Sequence, residues 1–301
     1  MALVLAASTP SFGQLTPVAK ETLLLADGTA IDRLTVEKAG SLAGRNIDIW
    51  MPQGIAPDQK LWVIYAHDGQ NLFDGATAYG GESWQLHQSA QQLIDAGIIP
   101  PCMIVGIWNS PARFEEYLPA PAYHQLPPAR QKKLQAERSG SPKSDAYLTW
   151  LVEELKPFVD QHYPTLPEPQ HTVILGSSMG GLISAYAMAQ YPHIFGKAAC
   201  LSTHWPLSLK ENSLDNSLPF RTYLIQNLPQ TGQHRLWMDY GTATLDAWYE
   251  PHQLAFDIEI KKRTGWQSAK QYQSKKYPDA PHNEIAWRER VGEVLAFLIQ
   301  P

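Results

Sequence analysis

Residues 171–181 read His-Thr-Val-Ile-Leu-Gly-Ser-Ser-Met-Gly-Gly. A short apolar, β-branched run (Val173, Ile174, Leu175) ends in Gly-x-Ser-x-Gly, with Gly176, Ser178 and Gly180 in the fixed places. Helical spacing begins at once through Leu182, Ile183, Ala185, Tyr186, Met188 and Ala189. The pattern predicts strand, tight turn, helix. Such a turn forces its serine into a strained backbone conformation, and small neighbours two residues either side let the chain pass close to itself. The Ser178 hydroxyl then stands clear of the sheet, beside a helix N-terminus, where a base can reach it.

Around this segment the pattern extends both ways. Apolar runs at Leu61–Ala66, Met103–Trp108 and Lys197–Leu201 read as buried strands, joined by Arg235–Tyr240 and Gln267–Tyr277. Helical spacing covers 83–95, Ser144–Tyr163, Leu218–Leu228, Leu245–Lys262 and Asn283–Ile299. From residue 61 onward strands alternate with helices, which predicts a mostly parallel sheet covered on both faces. Before it, Glu21–Ala26, Ile31–Lys38 and Arg45–Met51 read as antiparallel strands, with Asp27-Gly28 as a hairpin turn. Residues 109–143 break the alternation with five prolines before residue 130, then the charged patch Arg130, Lys132, Lys133, Glu137 and Arg138. This is either an insert over the strand ends or a solvated excursion. No linker divides the chain, so 16–301 reads as one domain.

The 301 residues carry a net charge of −5, with no basic footprint for nucleic acid and no apolar run of membrane-spanning length. Residues 1–15 begin Met-Ala-Leu-Val-Leu-Ala-Ala, resembling the back half of a secretory signal peptide; the alternative is a disordered cytoplasmic tail. The first reading places the protein in the periplasm or outside the cell. Cys102 and Cys200 each border an apolar strand and read as small buried hydrophobes, able to bridge only if their strands are neighbours.

A serine needs a base, and the base an orienting carboxylate. Chain order places both downstream of Ser178. Of the later histidines, His282 follows the last strand and the turn Pro278-Asp279-Ala280-Pro281 and opens the final helix, where the base belongs. His204 comes too early to be the base but could line a pocket. The acid should follow the strand at 235–240: Asp246 sits in a loop that can turn back to the imidazole, while Asp239 alternates within the strand and Glu250 lies further on. Two backbone amides must receive the oxyanion. Met179 supplies one, and the loop after Leu61–Ala66 supplies the other from Gln70 or Gly69.

Taken together, His-Asp-Gly-Gln-Asn-Leu-Phe-Asp (67–74), Arg113 with Glu116-Tyr117-Leu118-Pro119, Gly-Ser-Ser-Met-Gly-Gly (176–181), Tyr-Gly-Thr-Ala-Thr-Leu-Asp (240–246) and His-Asn-Glu-x-x-Trp (282–287) resemble the Putative esterase family of α/β-hydrolases. That family includes siderophore esterases, S-formylglutathione hydrolases, feruloyl esterases and mycolyltransferases. The resemblance implies an α/β-hydrolase fold and a Ser178, Asp246, His282 triad, with Met179 and Gln70 at the oxyanion hole. It also implies a small-molecule ester substrate and no metal or organic cofactor. An aromatic acyl group or a siderophore lactone would suit a pocket walled by tryptophans, although tryptophan is equally a core residue. Arg113, His204, Trp205 and Trp84 are the candidate pocket residues. An acyltransferase on the same scaffold and a binding protein that kept the fold are the competing expectations.

Overall fold

The computed structural model describes residues 15–137, 140–230 and 233–300. The signal-peptide reading of 1–14 and Arg138 of the charged patch lie outside the described residues. Leu15, assigned above to the tail, is buried in the core.

Each apolar run becomes a strand because its residues can be buried on both faces at once. In β4 (Trp62–His67), β5 (Cys102–Ile107), β6 (Thr172–Ser177) and β7 (Lys197–Leu201) every residue is buried. Successive side chains alternate between two cores: Ile64 and Val173 face one, Tyr65 and Ile174 the other. The described residues form a nine-stranded sheet ordered β1-β2-β3-β5-β4-β6-β7-β8-β9. The first strands, β1 (Ala19–Leu24), β2 (Ala30–Ala39) and β3 (Leu42–Trp50), pair antiparallel, and β3 joins β5 antiparallel. From β5 through β8 (Arg235–Gly241) to β9 (Tyr272–Tyr277) all pairing is parallel. The Asp27-Gly28 turn forms as expected, with Gly28 at φ 80°.

One face is covered by α1 (Leu86–Asp95) and the closing helix α10 (Glu284–Leu298). The other carries α5 (Ser144–Trp150), a π turn at Leu151–Leu155, α6 (Lys156–His162), α7 (Met179–Gln190) and α8 (Leu214–Asn227). Helix α9 (Glu250–Ile260) packs near the end of that layer. The helix expected over 245–262 is broken, because Pro251 has no N–H for a helix interior and so sits in the first turn of α9. The preceding residues Thr244–Trp248 form a separate 3-10 turn. The last strand starts only at Tyr272.

The insert is no solvated excursion. It folds into α2 (Arg113–Tyr117), α3 (Ala120–His124) and α4 (Pro128–Glu137), whose Tyr117, Leu118, Tyr123 and Leu134 enter the core. Its prolines read as loop signals, yet Pro121 and Pro128 sit in first turns, where a missing N–H costs nothing. Cys102 and Cys200 are buried and free, and β4 and β6 stand between their strands.

Candidate active site

Ser178 occupies the turn between β6 and α7 with φ 58° and ψ −120°, a conformation a non-glycine residue keeps only when its surroundings over-determine it. Here they do. Its N–H donates to the Leu201 carbonyl at 2.9 Å, and its own carbonyl accepts from the His204 N–H at 3.1 Å. A Cβ on Gly176 would lie 2.7 Å from the Gly180 backbone, so no side chain fits there. A Cβ on Gly180 would meet only ordinary contacts, at 3.5 Å from Asp68 Oδ2 and His67 Cβ. Met179 is the first residue of α7, whose opening amides have no acceptor within the helix.

Strands β8 and β9 bring the other two groups. The 3-10 turn after β8 carries Asp246 back under the sheet edge, where its side chain is fully buried. Asp246 Oδ1 lies 2.5 Å from His282 Nδ1. Oδ2 accepts from Ser202 Oγ at 2.5 Å and from the Gly241 N–H at 2.6 Å. His282 stands just before α10, its N–H donating to Thr244 Oγ1 at 2.8 Å and its ring set edge-on to Trp287 at 5.0 Å. His282 and Ser178 line the same cavity, of about 780 Å³. No hydrogen bond joins the two among the described residues; pairs of this kind commonly tighten only around a substrate.

The loop after β4 forms a third wall. Asp68 holds φ 58°, and Gly69–Asn71 make one 3-10 turn. A Cβ on Gly69 would fall 2.5 Å from the Gly106 backbone, so this loop lies flat on β5. Arg113 grips Asp68 twice, Nε to Oδ1 at 2.7 Å and Nη2 to Oδ2 at 2.6 Å. Burial alone would raise the Asp68 pKa; the Arg113 charge and its hydrogen bonds carry it below the ordinary carboxylate value.

Of the candidate pocket residues, Arg113 lines the cavity and the other three do not. Trp205 is fully buried between Phe220 and Phe256. His204 is buried against Tyr249. Trp84 is buried behind Trp287, their rings tilted at 45° with centroids 5.5 Å apart. His204 and Trp205 follow the strand that ends at Leu201, and Trp84 lies at the start of the helical pattern over 83–95, but all three side chains turn into the layers beneath. Asp239 does not face solvent either. It is fully buried, 2.8 Å from Arg290, and accepts from the Ser202 N–H and Trp237 Nε1. Glu250 pairs with Lys276 and does not line this cavity.

The cavity also takes in Tyr79, Glu82, Asn109 and Glu284, which sequence reasoning did not single out. Glu284 lies within the His-Asn-Glu motif, and that signal could have found it. Burial lifts its carboxyl above the ordinary value. The others come from loops whose convergence no local pattern encodes.

Comparison with known proteins agrees with this architecture. The model of a family described as Putative esterase matches residues 43–298. An IroE-like serine hydrolase from Shewanella oneidensis has a similar structure, with TM-score 0.64 and 21% identity over 89% of this chain and 79% of that one. The enterobactin esterase of Shigella flexneri, solved in the presence of enterobactin, gives TM-score 0.64 and 16% identity over 95% of this chain and 60% of that one. A ferulic acid esterase from Anaeromyces mucronatus gives TM-score 0.62 and 16% identity over 97% and 95%. At such identities the likeness is one of fold, the α/β type with a mostly parallel sheet. The chain spans 61% and 51% of the lengths of the two curated Bacillus subtilis relatives it matches.

Proposed function

The chain belongs to the Putative esterase family, and from that premise we propose that it hydrolyses carboxylic esters through an acyl-enzyme on Ser178. The observation that carries this reading is a strained serine and a histidine on one cavity, with a buried carboxylate bonded to the far side of that histidine. His282 takes the Ser178 proton as the oxygen attacks the ester carbonyl. Asp246, already 2.5 Å from Nδ1, fixes the tautomer that leaves Nε2 free to accept and stabilises the imidazolium that forms. The amides of Met179 and Gln70 receive the oxyanion; losing one such donor typically costs about 2.7–4 kcal/mol of barrier. His282 then returns the proton to the leaving alcohol, and water repeats the cycle on the acyl-enzyme.

For substrate, the reading favours esters with an aromatic acyl group, including siderophore lactones. In support, Tyr79 and Trp287 flank the cavity, and two proteins of like fold are described as esterases of enterobactin and ferulic acid. A fluorophosphonate probe followed by peptide mapping tests the nucleophile: label on Ser178, absent in Ser178→Ala, is expected. kcat/KM across p-nitrophenyl acyl esters, feruloyl esters and a catecholate lactone tests the substrate class. Faster turnover only when an acceptor alcohol is added would favour acyl transfer instead.

A further inference from the structure

We propose that Arg113 and Asn109 are positioning residues: they clamp the turn at Asp68–Gln70 and thereby aim the Gln70 amide at the developing oxyanion. The proposal rests on the serine-esterase reading above and assigns to the insert a task within that site.

The turn and the insert are laced together. Besides the two bonds from Arg113, Asn109 Nδ2 donates to Asp68 Oδ1 at 2.7 Å, and the Asn109 N–H donates to Gln70 Oε1 at 3.2 Å. The Asp68 N–H reaches Tyr117 Oη at 3.4 Å. Asp68 sits at φ 58° without being glycine, so something must hold it there. The chain itself closes part of the turn: Gly69 is pressed on Gly106, the Asn71 N–H donates to the Asp68 carbonyl at 2.9 Å and Thr77 Oγ1 donates to the Gln70 carbonyl at 2.7 Å, while the contacts from the insert fix the Asp68 and Gln70 side chains. The same Asp68 carboxylate lies over Gly180, in the first turn of α7. One carboxylate therefore belongs to the loop that carries one oxyanion donor and stands beside the helix start that carries the other, its Oδ2 3.5 Å from where a Gly180 Cβ would lie.

As a candidate pocket residue, Arg113 could instead receive an anionic part of the substrate. Its geometry argues otherwise: Nε and Nη2 are both spent on Asp68, and the guanidinium carbon lies 5.2 Å over the Tyr117 ring. A planar fork matched to a carboxylate is what bidentate positioning requires, and lysine cannot reproduce it.

The test compares wild type, Arg113→Met, Arg113→Lys and Asn109→Ala on p-nitrophenyl acetate, a small neutral ester, and on an ester bearing a carboxylate. Fluorophosphonate labelling and thermal melting are followed in parallel. Expected is a fall of at least about tenfold in kcat for Arg113→Met with KM within about twofold. The loss should be equal on both esters, with partial recovery in Arg113→Lys and a smaller kcat loss in Asn109→Ala. Labelling should slow by a similar factor while still going to completion. Unchanged kcat in Arg113→Met and Asn109→Ala would overturn the clamp, as would a rise in KM confined to the carboxylate ester, which would make Arg113 a substrate receptor. Should Arg113→Met fail to fold, Asn109→Ala and Arg113→Lys decide alone. Failure of wild type to label at Ser178 would sink the serine reading instead, a result separate from any of these.

Discussion

Asp246 and His282 meet at 2.5 Å, with the acid wholly buried and the imidazole at the cavity wall. The other Asp246 oxygen is held by Ser202 and Gly241, so the carboxylate cannot swing away from the ring. Asp246→Asn keeps the shape but presents either a donor to Nδ1 or the wrong tautomer to Ser178. In serine hydrolases that change lowers kcat by on the order of 10⁴. We expect a loss of that order in steady-state ester hydrolysis, with KM little changed. A loss under tenfold would remove Asp246 from the reaction.

Asp239 gives the opposite pattern. It is the buried countercharge of Arg290, whose Nη2 also donates to Ser202 Oγ at 2.7 Å. Asp239→Asn leaves that guanidinium with only the more distant Asp246 carboxylate, 4.0 Å away, at an expected cost of up to about 3–5 kcal/mol of stability. Through Ser202 it also loosens Asp246, so activity should drop, though far less than in Asp246→Asn. Chemical denaturation and kcat on the same samples separate the two: a stable Asp239→Asn with activity as low as Asp246→Asn would reverse the assignment.

Ser178 stores strain that its replacements should reveal. Both Ser178→Ala and Ser178→Gly lose the hydroxyl and should be inactive. They differ in backbone freedom. The conformation at φ 58°, ψ −120° costs a side-chain-bearing residue about 1–3 kcal/mol. Glycine escapes this but gives up about 0.4–1 kcal/mol to the entropy of the unfolded chain. Ser178→Gly should therefore unfold at higher denaturant than Ser178→Ala, by on the order of 1 kcal/mol. The reverse order would mean the turn is not strained.

What was legible in the sequence follows from how local each determinant is. The runs at 61–66, 103–108 and 172–176 are buried on both faces, so their identity as strands is written in consecutive residues. Ser178, Asp246 and His282 could be singled out because each closes a strand in a fixed chain order. The insert could not be read. Its prolines look the same whether they end a helix or open one, and only burial of Tyr117 and Leu134 tells the cases apart. Most of the cavity wall was equally hidden, since Tyr79, Glu82 and Asn109 meet only after the loops beyond β4 and β5 are in place. Trp205 lies near an expected strand end, but which way a side chain turns there is settled by the helices packed beneath.

Burial also sets a pH dependence of stability. His67 is 1% exposed, and burial, with Arg113 and Arg45 nearby and Asp68 opposing them, brings its pKa down to about 3. His252 is likewise held at about 4, by burial first and then by Arg221. Each stays neutral in the folded protein while the unfolded chain takes up a proton near pH 6.5. The unfolded state thus binds more protons below that pH, and stability falls as pH drops from 6.5 toward the folded values. Each histidine contributes up to about 1.4 kcal/mol per pH unit. Urea unfolding at pH 7, 6 and 5 should show this slope, shallower by close to one proton in His67→Gln. Parallel slopes in the two proteins would mean that His67 is protonated in the fold.

Glu284 should set the charge of acceptable substrates. Asp68 faces Arg113, and Glu82 faces Arg288 at 2.8 Å. Glu284 accepts from Asn71 Nδ2 at 3.3 Å and makes no ion pair among the described residues. The cavity therefore carries one carboxylate beyond its matched pairs. A like charge about 4 Å away costs about 1 kcal/mol in water and about 4 kcal/mol near a protein surface, so a carboxylate-bearing ester should have kcat/KM at least several-fold below its neutral counterpart. Because burial lifts the Glu284 carboxyl above its ordinary value, the group is neutralised sooner than an exposed glutamate as pH falls, and the preference should narrow as pH is lowered from neutral. Asp68, held below the ordinary carboxylate value by Arg113, keeps its charge while this happens. In Glu284→Gln the ratio should be near unity and flat with pH. A neutral-ester preference that survives this substitution unchanged would assign the discrimination to Asp68 or Glu82.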